Sequence, residues 1–190
     1  MRILMLGNSF TAANDLPQRL AQLTGAEVAA HTRGGARLAE QLNPKTKLGA
    51  RTKAALEGEP WDFVILQEMS HGPISSPQSF FTSVKRLCEW IRAKGATPVL
   101  FATWAYEKGG AKLAAKGWDY EDMARQLSDA YRQAAQENHA LLAEVGQRFY
   151  DLSPTHPLYA ADGVHPNEEG TQLAAEVLAE TILTHKELTP

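Results

Sequence analysis

Apolar positions along the chain follow two alternating rhythms. Short apolar runs at residues 2–7, 27–32, 61–67, 97–104 and 141–145 have the length and content of buried strands. Between them, residues 16–23, 48–56, 77–93, 120–137 and 168–184 repeat their apolar positions at spacings of three and four, with polar faces between, as amphipathic helices do. Strands that alternate with helices predict a parallel sheet covered on both sides, and the unbroken run Phe63-Val64-Ile65-Leu66 suits a strand buried on both faces. The expected fold is a three-layer α/β/α sandwich. At 190 residues the chain is long enough for one hydrophobic core and short for two, so residues 1–190 are expected to form one domain.

In such folds ligands collect beyond the carboxyl ends of the strands, where the chain leaves each strand for its helix. The residues at those exits are Asn8-Ser9-Phe10-Thr11, Arg33-Gly34-Gly35, Gln67-Glu68-Met69-Ser70-His71, Trp104-Ala105-Tyr106 and the stretch before the last helix. Residues 105–117, rich in glycine, lysine and alanine, read as an exposed loop over the same edge.

Two of these exits carry candidate chemistry. Ser9 follows the first strand directly, at or near the amino end of a helix, where backbone N–H groups favour developing negative charge. The competing readings are a helix cap formed by Ser9 or Thr11, and a phosphate or flavin cradle; the loop lacks the glycine spacing and lysine of a P-loop. Asp162-Gly163-Val164-His165 precedes the last helix, whose start is marked by Asn167 and Glu168-Glu169. A spacing of three in a tight turn can bring the carboxylate against one imidazole nitrogen and leave the other free as a general base. A plain polar turn is the alternative.

Taken together the segments discriminate better than either alone. Gly7-Asn8-Ser9-Phe10 resembles the first block of the SGNH/GDSL hydrolases, Gly34-Gly35-Ala36-Arg37-Leu38 their second, and Asp162 to His165 their last, in the family's order and across nearly the whole chain. The opening Gly-Asn-Ser-Phe-Thr with the later Leu66-Gln67-Glu68 is similar to a branch in which the usual Gly-x-Asn-Asp third block is replaced. The resemblance implies a flavodoxin-like, five-stranded parallel sheet and a metal-free serine esterase without cofactor. Its implied catalytic residues are Ser9, Asp162 and His165, and its implied oxyanion hole is formed by Ser9, Gly35 and a third-block donor. Gly34 exchanges with Gly35 if the alignment slips by one. In the third block Met69 falls at the asparagine position, where a thioether cannot donate, so Gln67 is the expected donor.

The implied substrate is a small acyl ester, with O-acetyl groups on a carbohydrate as one class. Two alternatives keep the fold and lose the turnover: a flavodoxin-like module that binds phosphate or flavin, and a degenerate hydrolase that binds glycans.

Composition narrows the remaining classes. A net charge of -3, with basic residues scattered, gives no footprint for nucleic acid. One cysteine, Cys88, permits no internal disulfide, and six histidines without a His-x-x-x-His pair give no zinc pattern. No apolar run approaches the roughly 20 residues that span a bilayer. The first apolar run is too short for a signal peptide's core, so a cytoplasmic location is expected, although a secreted form processed beforehand would look similar. Oligomeric state leaves no signal. Lesser candidates are His71, in reach of a substrate; Asp15, which orients the Ser9 loop or starts the next helix; and Glu68, a second carboxylate near the histidine. Trp104, Tyr106, Trp118 and Tyr120 suit either the core or the face of a sugar ring, Trp61 suits the core, and His31, His139 and His185 suit the surface.

Overall fold

The computed structural model describes residues 1–188. Five strands, β1 (Arg2–Gly7), β2 (Glu27–Thr32), β3 (Phe63–Leu66), β4 (Thr97–Phe101) and β5 (Leu141–Ala143), pair in parallel in the order β2-β1-β3-β4-β5. The chain moves from β1 to one side and then returns to the other, so the strand order reverses at the exits of β1 and β3, where open α/β sheets bind ligands. At that edge Gly7 lies level with Thr32 of β2, and Leu6 with Leu66 of β3.

The helices are α1 (Ser9–Ala12), α2 (Leu16–Thr24), α3 (Leu38–Gln41), α4 (Lys47–Gly58), α5 (Gly72–Ser75), α6 (Pro77–Ala93), α7 (Ala111–Lys116), α8 (Tyr120–Glu137), α9 (Val145–Leu152) and α10 (Glu168–Leu188). Their starts follow local chemistry. Thr46 caps α4 through Gly49 N–H, Asp119 caps α8 through Asp122 N–H, and Pro77 opens α6, where its missing N–H costs nothing.

Alternate strand residues feed two cores. Ile3, Met5, Ile65, Val99 and Phe101 face α2, α9 and α10, whereas Leu4, Leu6, Val64, Leu66 and Leu100 face α4, α6 and α8. Each such side chain is fully buried, which contributes about 1.5–3 kcal/mol of transfer free energy apiece. This is the three-layer α/β/α sandwich expected from the alternation of strands and helices.

Three expectations need correction. Residues 105–117 are exposed for the most part, as expected, but are not all loop: they contain α7, and Ala105, Tyr106 and Leu113 are buried with Tyr120, Met123 and Leu127 in a third apolar cluster. The strands anticipated at 61–67, 97–104 and 141–145 stop earlier, because Gln67, Trp104 and Val145 already belong to the exits or to α9. Helix α9 has no counterpart among the anticipated elements.

Candidate active site

The turn after β1 presents one side chain to solvent. Asn8, Phe10 and Thr11 are buried, while Ser9 at the head of α1 is partly exposed. Asn8 makes the turn: its Oδ1 accepts from Phe10 N–H at 3.1 Å, as an N-cap does, and its Nδ2 donates to the Ala36 carbonyl at 3.1 Å. Gly7 is required by space, since a Cβ there would meet Thr11 Oγ1 at 2.2 Å and Gln67 Oε1 at 2.7 Å.

The turn before α10 is built around one carboxylate. Asp162 Oδ1 accepts the N–H groups of Val164 at 3.0 Å and His165 at 2.9 Å, and its Oδ2 lies 2.5 Å from His165 Nδ1. The other ring nitrogen, Nε2, is 2.9 Å from Ser9 Oγ. Residues 156 positions apart thus meet in a line in which Nδ1 carries the proton toward the carboxylate and Nε2 accepts from the serine hydroxyl. Burial is the largest single influence on the Asp162 carboxyl and pushes it up, but hydrogen bonds from the His165 ring and from the His165 and Val164 amides outweigh it and hold the group at about 2. Asp162 therefore stays ionised.

Three further groups hold these turns together. Trp104 is sandwiched between Phe10, 4.5 Å away between ring centroids, and Phe149 at 4.1 Å, and its Nε1 donates to the Val164 carbonyl at 3.0 Å. Phe10 in turn meets His165 edge-on at 5.5 Å. Asn14, in the left-handed region with φ 45°, donates to the Pro166 carbonyl at 3.1 Å and to Thr171 Oγ1 at 2.8 Å. Glu107 N–H donates to the Gly163 carbonyl at 2.8 Å, which fastens the chain leaving β4 to the Asp162 turn.

Asn14 was not among the sequence candidates; its neighbour Asp15 was, and it stands at the N-cap position of α2, as a helix-start residue should, without the side-chain bond of a cap. Asp15 is exposed and sits at φ 58°. An asparagine shortly after a serine turn, tolerant of left-handed backbone, was the available signal.

Gly35 lies in the loop after β2 with φ 67°, exposed, with nothing within 4 Å of where a Cβ would be, and Gly34 is equally open. Gln67 departs from its expected place. It is 1% exposed, and its Oε1 accepts from Asn8 N–H at 3.0 Å and from Thr11 Oγ1 at 2.9 Å, while its Nε2 donates to the Glu68 carbonyl. The extra methylene folds the amide back beneath the Ser9 turn instead of carrying it into the cleft, so Gln67 acts here as a brace. Glu68 likewise is no second carboxylate for His165: its oxygens accept from Leu38 N–H at 3.2 Å and Met69 N–H at 2.7 Å.

His71 ends the exit of β3, edge-on to Trp118 at 5.5 Å and to Tyr106 at 6.2 Å, with Lys116 Nζ 5.3 Å from the Trp118 ring. Burial, then the charge of Lys116, lowers the His71 pKa, which favours the neutral ring. His71 and Trp118 are half-buried, and Val164 packs against the same cluster, so this wall adjoins the His165 turn. Trp104 and Trp61 are core residues, as anticipated; His31 is half-buried rather than at the surface. Among the described residues no group of three or more His, Cys, Asp or Glu is placed to hold a metal ion, and no helix is long and apolar enough to cross a membrane.

A doubly wound sheet with a serine, a histidine and an aspartate aligned at its switch point is an arrangement used by serine hydrolases. The sequence model of the GDSL-like lipase/acylhydrolase family matches residues 5–173, and the chain belongs to that family. A protein of Slackia heliotrinireducens assigned to the SGNH hydrolases is 55% identical, with a TM-score of 0.93 over 96% of this chain and 98% of that one. A DUF4886 family protein of Bacteroides uniformis shares the fold at 20% identity and TM-score 0.75, covering 97% of this chain and 83% of that one. So does an acetyl-xylooligosaccharide esterase of Geobacillus, at 15% identity and TM-score 0.68, over 95% and 93%. None of the curated proteins compared with the chain matches it. The protein is a hydrolase acting on ester bonds.

Proposed function

We propose that the protein is a serine esterase that removes a small acyl group, with an O-acetylated carbohydrate as its substrate class, through an acyl-serine intermediate. The observation that carries this reading is the unbroken line from Ser9 Oγ through the His165 ring to Asp162, with contacts of 2.9 and 2.5 Å. In the first half-reaction His165 Nε2 takes the Ser9 proton as Oγ attacks the ester carbonyl, and ionised Asp162 stabilises the imidazolium. The tetrahedral oxyanion is held by the N–H groups of Ser9 and Gly35. His165 returns the proton to the leaving alcohol, and water repeats the sequence on the acyl-serine to release the acid.

The carbohydrate class is supported by the half-buried His71 and Trp118 rings beside the His165 turn, which suit the apolar face of a sugar. It is supported also by the acetyl-xylooligosaccharide esterase of the same fold. A panel of p-nitrophenyl acetate, longer-chain esters and acetylated xylooligosaccharides, run on wild type, Ser9→Ala, His165→Ala and the double variant, tests the proposal. Each single variant is expected to lose roughly 10³-fold or more in kcat, and the double variant little more, because the groups act as a unit. Turnover retained by folded Ser9→Ala would overturn it.

A further inference from the structure

Glu68 is a carboxylate with 2% exposure, and burying such a charge costs several kcal/mol unless hydrogen bonds offset it. Both of its oxygens are used, and on different loops. Oε2 accepts from Leu38 N–H at 3.2 Å, in the segment after β2, and Oε1 accepts from Met69 N–H at 2.7 Å, in the segment after β3. Its backbone carbonyl takes the amide of Gln67, whose own oxygen holds the Ser9 turn. Room for the carboxylate is made by Gly72, where a Cβ would stand 2.7 Å from Glu68 Cγ.

The loop after β2 needs such an anchor. Gly34 and Gly35 have no neighbour within 4 Å of a Cβ position, so packing does not hold them. The next residues along the chain fix them instead: the Ala36 carbonyl accepts from Asn8 Nδ2, the Ala36 N–H turns back to the Arg33 carbonyl at 3.0 Å, and Leu38 N–H donates to Glu68. The Ala36 carbonyl ties the loop to the Ser9 turn, and the Leu38 bond ties it to the β3 exit. We propose that Glu68 is a positioning residue whose carboxylate clamps the loop after β2 to the loop after β3 and so fixes the Gly35 amide relative to Ser9. This rests on the esterase reading only for its catalytic consequence; the clamp itself is structural. A charge-assisted acceptor is suited to the task, since bonds from N–H to carboxylate are roughly twice as strong as neutral ones. Two inward-pointing N–H groups also demand an acceptor at both ends of the side chain. Glutamine offers only one, and its amide nitrogen would face the other N–H.

The test combines Glu68→Gln with two readouts: steady-state kinetics on a small ester, and amide hydrogen exchange at Leu38 and Met69. Displacing an oxyanion donor without removing it is expected to lower kcat by about 10- to 100-fold and leave KM within about twofold. Exchange at one or both amides should quicken at least about tenfold while the rest of the sheet stays protected. Where Glu68→Gln does not fold, Gly72→Ala, which crowds the carboxylate without removing it, is expected to give the same split. Unchanged exchange at both amides overturns the clamp, and faster exchange with unchanged kcat overturns its positioning role. If wild type shows no Ser9-dependent ester turnover, the esterase reading fails, and with it the catalytic consequence, while the exchange arm still decides the clamp.

Discussion

The indole N–H of Trp104 donates to the Val164 carbonyl at 3.0 Å, one residue before His165. The same ring is stacked on Phe10, one residue after Ser9. A single buried side chain from the exit of β4 thus braces the two turns whose side chains must meet. Trp104→Phe keeps a ring in the stack and removes the donor, leaving the Val164 carbonyl short of a partner. The expected cost is about 1–3 kcal/mol of stability. A lower melting temperature should accompany a fall in kcat, because His165 loses its rear support. Thermal unfolding and ester kinetics on the same preparation check this; an unchanged kcat would mean that the His165 turn holds itself.

Asn14 offers a cleaner separation of backbone from side chain. Its φ of 45° is tolerable for asparagine and free of strain for glycine, so Asn14→Gly deletes the bonds to Pro166 and Thr171 with little backbone penalty. Asn14→Ala deletes them and adds strain. Both variants are expected to lower kcat, with Asn14→Ala the less stable by about 1 kcal/mol. Equal stability of the two in denaturant melts would remove the strain argument.

Much of this architecture was legible in the apolar pattern, for a physical reason. Strands buried on both faces must be continuously apolar, and helices covering them must be amphipathic, so β1, α6 and α8 appear with their observed bounds; the run at 27–32 also matches β2, although that edge strand is only partly buried. Helix α9 was hidden because its first residue, Val145, continues the apolar run of β5. The 105–117 segment is largely exposed, as its glycine, lysine and alanine suggest, but its anchoring was not legible, because that depends on Tyr106 and Leu113 meeting Met123 and Leu127 of a helix further on. At the site, Ser9, Asp162 and His165 stood out because their spacing is local chemistry plus one long-range meeting. The tasks of Gln67 and Glu68 were not legible. Whether an amide or carboxylate at a strand exit points into the cleft or folds beneath the neighbouring turn is decided by which backbone groups the neighbours leave unpaired, and no spacing records that.

Asp162 makes a prediction about acid. Its carboxyl is held at about 2 against an ordinary 3.8, so the folded state binds its proton less readily than the unfolded chain. A depressed folded value means that its stabilisation is fully present above about pH 4 and is lost as the pH falls from there through about 2. Asp162→Asn lacks this contribution at every pH. The difference in melting temperature between wild type and Asp162→Asn should therefore be steady at pH 5–6 and shrink between about pH 4 and pH 2. A difference that stays constant over that range would show that the carboxylate gains nothing from its contacts with His165 and Val164.

Gln67 distinguishes a brace from an oxyanion donor. As a brace, it satisfies three buried groups, namely Asn8 N–H, the Thr11 hydroxyl and the Glu68 carbonyl, beneath the Ser9 turn. Gln67→Ala leaves all three without that partner in a site too buried for easy replacement by water, and each such loss costs about 1–3 kcal/mol. A large drop in melting temperature is therefore expected, together with a smaller fraction of enzyme whose serine reacts with a fluorophosphonate. The turnover of the fraction that does react should fall only moderately, since the amide makes no contact with the developing charge. An oxyanion donor would behave in the opposite way. Its removal would cost roughly 10² to 10³ in kcat per reactive site and leave KM and stability little changed. Gln67→Glu sharpens the contrast: it retains the acceptor for Asn8 and Thr11 but gives up the donor to Glu68 and sets a second carboxylate beside the first. It should be less stable than wild type at neutral pH and recover part of the difference on mild acidification, as the added carboxyl takes up a proton. Full stability of Gln67→Ala with a kcat lowered by the larger factor would return Gln67 to the cleft.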